Sequence, residues 1–175
     1  HNLAEAKCDM VAELLRESLA EYRERGVDFS ALWPFDYGFY RRYGWGTVTR
    51  YTRYETTPEA LALGTDRAGE FRRLGPDDWQ SLADVLRSHG GNHALAVDRT
   101  EDWWRERTFD AWGDGDPYAY GWFEDGELRG YIVYTVDEPD DGKRMDVSEL
   151  VFADDEAYRH LLRFLRYHDS QVESV

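Results

Sequence analysis

Asp125-Gly126, set between two runs of aromatic and β-branched residues, most constrains how this chain folds. An Asp-Gly pair in that setting forms a two-residue hairpin turn, so Tyr118 to Phe123 and Arg129 to Asp137 must be adjacent antiparallel strands. A second turn at Asp140-Asp141-Gly142 returns a third strand, Lys143 to Phe152. Upstream, Phe71 to Leu74 reads as a short strand. Gly75-Pro76 then opens a helix to about Ser88, with Trp79, Leu82, Ala83 and Leu86 inward and Gly90-Gly91 at its end. Thr100 is placed to cap a second helix reaching Trp112, stopped by Gly113. Asp154 caps a third, with Ala157, Tyr158, Leu161, Leu162 and Leu165 inward. His168-Asp169-Ser170 breaks it, and Gln171 to Val175 starts another strand. The order β-α-α-β-β-β-α-β predicts an α+β domain over residues 71–175.

Residues 1–55 are organised differently. Asp9 to Arg25 reads as a helix capped by Asp9 and ended by Gly26, with Met10, Val11, Leu14, Leu15, Ser18, Leu19 and Tyr22 on one face. Val27 to Leu32 and Thr47 to Glu55 read as strands. A helix and two strands are too little to stand alone. They read as the last third of a domain, joined by a connector over 56–70 to the second domain.

Between those strands, Trp33 to Gly46 packs seven aromatics, one proline, two arginines and three glycines into fourteen residues. A core strand does not need that mixture. A turn presenting rings and a phenol to a ligand does.

The net charge of −15 is uneven. Residues 1–53 carry eight basic and eight acidic side chains, so the whole excess falls on 54–175. Only Lys7 and Lys143 are lysines. This composition suggests a high-salt cytoplasm, where dense carboxylates keep a protein hydrated and soluble. It argues against a nucleic-acid partner, which wants a basic face. No apolar run is long enough to span a membrane. His1 to Ala6 lacks the features of a signal peptide, and the lone Cys8 excludes an internal disulfide framework; both fit a cytoplasmic location.

Arg23-Glu24-Arg25-Gly26, Ala31-Leu32-Trp33-Pro34-Phe35 and Phe39-Tyr40-Arg41-Arg42-Tyr43-Gly44-Trp45 resemble the end of the first GNAT domain of the "enhanced intracellular survival" acetyltransferase family. Glu156-Ala157-Tyr158-Arg159 through Leu165, with His168-Asp169-Ser170-Gln171-Val172, resembles that family's second GNAT domain. The resemblance implies a tandem GNAT-type acyltransferase fold and acetyl transfer from acetyl-CoA to a primary amine. It implies Tyr40 as the general acid that protonates the departing thiolate. It also implies assembly into a homo-oligomer, often a hexamer in that family.

This chain departs from the family pattern in places. The family reads Arg-x-x-Gly before the first helix, where amides at the helix start cradle pyrophosphate; here Asp9 stands where glycine is expected. The amides of Met10 and Val11 are the candidates left for acetyl-CoA. The early strands of the first domain and a C-terminal domain similar to sterol carrier proteins are not in this sequence, so it reads as an internal piece of such an enzyme.

Each assignment has a plainer counterpart. Tyr40 could simply pack. Arg41 and Arg42 could steer an anionic co-substrate or be a solvated pair beside Asp36. Trp103, Trp104, Trp112 and Trp122 could wall a substrate site, though core packing suits them better. His89 and His93 have helical metal-pair spacing, but Gly90-Gly91 interrupts them. His160 and His168 read as surface groups. Phe152-Ala153-Asp154-Asp155-Glu156 is acidic where a phosphate turn would be glycine-rich, so the second domain reads as scaffold. Its acidic face could also receive a cationic amine. The rival to the enzyme reading is a non-catalytic fragment serving packing and oligomer contacts.

Overall fold

In the computed structural model, residues 3–61, 69–91, 96–109, 117–139 and 142–175 are described, residues 3–9 by their backbone alone. The chain divides into two units, His1–Arg53 and Tyr54–Val175.

The first unit is built on α1, Leu3–Glu24. The helix starts six residues earlier than the Asp9 cap predicts. Leu3-Ala4-Glu5-Ala6-Lys7 are strong helix formers that carry the ladder back past Asp9. At its other end Gly26 adopts φ 68°, and Val27 N–H reaches back to the Tyr22 carbonyl at 2.9 Å. That left-handed glycine closes the helix as its position predicts. Ala12 is buried, and Val11, Leu15, Leu19 and Tyr22 are partly so, whereas Met10 and Leu14 are exposed. A short helix, α2, covers Tyr37–Arg41. The strands expected at 27–32 and within 47–55 are not formed; both stretches are irregular backbone. Their alternation suits a sheet, but no described segment of this unit pairs with them.

The second unit is a four-stranded antiparallel sheet in the order β1-β2-β3-β4, with helices on both faces. Its elements are β1 (Glu70–Arg73), α3 (Trp79–Gly90), α4 (Glu101–Trp103), β2 (Tyr118–Glu124), β3 (Glu127–Asp137), β4 (Arg144–Phe152) and α5 (Asp155–Arg166). Asp125 and Gly126 make the expected tight turn, with φ of 51° and 82°. Gly142 has φ 115°; the Asp140-Asp141 half of the second expected turn lies outside the described residues.

Alternation along the strands sends one set of side chains to each face. Ala119, Leu128, Tyr131, Val133 and Val151 pack with Leu82, Ala83 and Val85 of α3 and with Trp104. Trp122, Ile132, Tyr134 and Met145 pack with Ala157, Leu161 and Leu165 of α5. Burying each large apolar side chain favours folding by roughly 1.5–3 kcal/mol, so these two layers dominate the unit's stability. Thr100 caps α4 as expected, its hydroxyl accepting from Trp103 N–H at 3.3 Å. The helix then continues as a π-turn over Trp104–Thr108, which buries Trp104 completely. The expected end at Trp112-Gly113 lies outside the described residues.

Two β-bulges interrupt the ladders of this sheet. Trp122 pairs with Gly130 and Phe123 with Leu128, so Arg129 is an extra residue on β3. Val133 pairs with Glu149 and Tyr134 with Val147, so Ser148 is the extra residue on β4, its hydroxyl donating to the Val133 carbonyl at 3.1 Å. The strand expected over Gln171–Val175 contributes a single parallel bridge, Arg144 to Ser174. Thr56 and Val175 exchange both backbone hydrogen bonds, at 3.0 and 2.9 Å. Arg166 donates to the carbonyls of Glu59 and Leu61. The first part of the expected connector is therefore tied to the second unit; residues 62–68 lie outside the described set.

Candidate functional site

The aromatic run of the first unit folds around α2. Asp36 caps it, its carboxylate accepting from Phe39 N–H at 2.5 Å. After α2 the chain turns sharply. The Tyr40 carbonyl accepts from Tyr43 N–H at 3.0 Å and from Trp45 N–H at 3.3 Å, with Gly44 at φ 99°. A side chain at that φ is strained, so glycine is required there.

This turn surrounds Tyr40 with rings. Phe35, Phe39 and Trp45 meet it edge-on, with centroids 5.2, 5.3 and 6.1 Å away. Such contacts hold an aromatic ring in place beyond mere area burial. The Arg16 guanidinium of α1 lies over Tyr43, 5.3 Å from its centroid. An open cavity of about 190 Å³ lies beside the cluster, lined by Trp33, Pro34, Tyr37, Tyr40, Arg41 and Trp45, with residues 46–49 and Tyr51 along its rim. Tyr40 thus joins a half-buried phenol, one arginine and aromatic walls, a combination suited to an apolar ligand with a proton-accepting group. Arg42 is exposed.

Met10 and Val11 do not sit at a helix start. They fall at the eighth and ninth positions of α1. Only the first four N–H groups of a helix lack internal partners. The expectation that these two amides cradle a phosphate is corrected on that ground, since they belong to the helical ladder.

In the second unit, the start of α5 is filled by the protein itself. Asp154 Oδ1 accepts from the N–H groups of Glu156 and Ala157 at 3.1 and 2.9 Å, and Oδ2 accepts from Arg129 at 2.5 Å. Burial opposes the Asp154 charge, but these backbone and guanidinium hydrogen bonds outweigh it and hold its carboxyl below the usual range. The bulge at Arg129 aims the guanidinium there, as bulges commonly do. No sequence signal pointed to Arg129 or to this use of it.

The histidines fall differently from the surface reading. His160 is buried and stacks on Trp122, centroids 4.2 Å apart. His168 is partly buried against Phe164, and its Nδ1 donates to that residue's carbonyl at 2.8 Å. His89 lies against Phe152, and His93 is outside the described residues. Trp104 and Trp122 are core, Trp103 is half exposed, and Trp112 is outside the described residues. Tyr158, expected inward, is 39 % exposed, its ring against Phe152. No described helix is long and apolar enough to cross a membrane.

Residues 95–175 match a family model described as an acetyltransferase (GNAT) domain, and residues 5–48 match a second model of the same description. An uncharacterized N-acetyltransferase of Streptomyces griseus is 26% identical over 150 residues, covering 74% of this chain and 34% of that protein. The chain therefore spans about a third of the length of the curated relatives it matches. A probable N-acyltransferase of unknown function from Enterococcus faecalis V583 superposes with a TM-score of 0.76 at 22% identity, over 94% of this chain and 41% of that one. A GCN5-related N-acetyltransferase from Anabaena variabilis does so with a TM-score of 0.76 at 18% identity, over 93% and 42%. With helices on an antiparallel sheet, a match to a GNAT-domain model in each of its two units and solved GNAT neighbours, this chain has the α+β GNAT fold.

Proposed function

We propose that this chain is part of an N-acetyltransferase that moves acetyl from acetyl-CoA to a primary amine by direct attack. The placement of Tyr40 on the wall of an aromatic cavity carries the reading. The amine nitrogen bonds to the thioester carbonyl carbon, and the C–S bond breaks. The departing thiolate takes the Tyr40 phenol proton, and the proton shed by the amine passes to solvent and restores the phenol. Attack needs no covalent enzyme intermediate. Arg41, beside Tyr40 on the cavity wall, supplies positive charge for an anionic co-substrate.

The second unit acts as support in this reading. The observation favouring that role is the Asp154 carboxylate at the head of α5, which occupies the amides a phosphate would need. Pyrophosphate binding is then left to residues other than Met10, Val11 and the start of α5.

Calorimetry with acetyl-CoA in molar KCl tests the proposal, with Tyr40→Phe as companion. Binding by both proteins, with amine acetylation lost in the variant, is the expected result. Equal turnover by the variant would remove Tyr40 from the role of acid. Absence of binding would leave the scaffold reading for this chain.

A further inference from the structure

We infer that a tyrosine-lined cavity on the α5 face of the second unit, beyond the C-terminal end of that helix, binds a small planar organic anion. The cavity has a volume of about 570 Å³ and is lined by Tyr118, Tyr120, Tyr134, Lys143 and His168, with Met145 and Val172 among its apolar members. That volume lies within the range of small-ligand sites.

The register explains the convergence. Tyr118 pairs with Tyr134 across β2 and β3, and Tyr120 lies two residues along on the same face. The Tyr118 and Tyr120 rings lie nearly parallel to that of Tyr134, at 5.4 and 6.4 Å. Packing alone does not require phenols. Phenylalanine would stack as well, and among the described residues no protein group hydrogen-bonds these three hydroxyls. Three O–H donors are thus left beside a cavity.

Two cationic donors flank the cavity, with the Glu173 carboxylate close by at Gly142. The Arg73 guanidinium lies 5.4 Å from the Tyr118 ring centroid. Lys143, one of two lysines in a chain of net charge −15, lines the cavity. Glu138 is 3.8 Å from its ammonium, a loose and exposed contact. Because His168 Nδ1 donates to the Phe164 carbonyl, Nε2 is its remaining polar atom. The Tyr118 ring already carries the Arg73 guanidinium, whose charge disfavours a second cation there. A flat apolar body against Met145 and Val172, with a carboxylate or phosphate reached by phenol and ammonium donors, suits this lining.

Benzoate and phenyl phosphate are the probes, with benzylamine and benzyl alcohol as controls, titrated into the whole chain by calorimetry and NMR. Saturable binding of one anion or both is expected, with neither control binding. Tyr118→Phe and Lys143→Gln alter exposed or partly exposed groups and are expected to keep the fold. Each should weaken binding by roughly fivefold or more, as loss of a hydrogen bond or charged donor does. Tyr40→Phe, in the other unit, should leave it unchanged. No saturable binding up to roughly 10 mM, the weak end of small-ligand affinity, would overturn the inference. Equal affinity in both cavity variants, or tighter binding of benzylamine, would overturn it as well.

Discussion

Arg129, the extra residue of a bulge in β3, donates to Asp154 at the head of α5 across 2.5 Å. One carboxylate thereby caps a helix and pins that helix to the sheet. Asp154→Ala is expected to cost about 1–2 kcal/mol in urea denaturation, chiefly through the lost cap, since the ion pair is partly exposed. The pH dependence has a definite sign. A carboxylate held below its unfolded value stabilises at pH above that value, roughly 3.9, and the contribution fades as pH falls through the folded pKa. The gap in urea midpoint between wild type and Asp154→Asn should therefore close in acid. A constant gap would contradict the assignment.

On the opposite face, Arg99 meets Glu149 at 2.7 Å, and the Tyr131 hydroxyl donates to the other carboxylate oxygen at 3.1 Å. The guanidinium also lies over Trp104, 4.7 Å from its centroid. Both ion-pair side chains are largely buried. Arg99→Met should cost about 3 kcal/mol by stranding the carboxylate, and adding Glu149→Leu should recover much of that. Simple additivity in the double-mutant cycle would show that the two groups do not act as a pair.

Alkaline stability should reflect two tyrosines. Burial, with a smaller push from the Tyr120 and Tyr118 phenols, raises Tyr134 to about 12. Burial and the Glu149 charge push Tyr131 higher. A folded pKa above the unfolded value, roughly 10, gives stability that is complete below that value and lost as pH rises through the folded one. Phenolate absorbance should show late-titrating tyrosines whose ionisation coincides with unfolding. Full ionisation near the ordinary pKa in a still-folded protein would be the contrary result.

The acidic excess of residues 54–175 leads to a separate proposal, adaptation to high salt. Screening of self-repulsion should raise the melting temperature as KCl goes from dilute to molar. An unchanged melting temperature would dismiss it.

The hairpin, the α3 and α5 faces and the Thr100 and Asp154 caps were readable because each is a local signal. The aromatic turn at α2 was readable for the same reason. Asp9 misled because a good cap residue is tolerated inside a helix when stronger helix formers precede it. His160 was misread because residue type weighed more than position. It lies three residues after buried Ala157, on the inward stripe, whereas Tyr158 is one residue off it. The segments at 27–32 and 47–55 have strand composition, but a strand is a relation between segments. The bulges at Arg129 and Ser148 are mismatches of register, which no single strand's sequence records. The tyrosine cavity had a legible half, the alternation of Tyr118 and Tyr120. Their meeting with Tyr134 depended on register.

The Asp125-Gly126 turn bears on the protein's history. Glu124 and Glu127 pair directly across it, so its two residues set the phase of both strands. One inserted residue would shift that phase and send Tyr118, Tyr120 and Trp122 to the α3 side of the sheet. Descent should therefore have fixed this loop's length, with the positive φ of both residues confining its letters to glycine, asparagine and aspartate. Insertions tolerated during divergence should be found elsewhere.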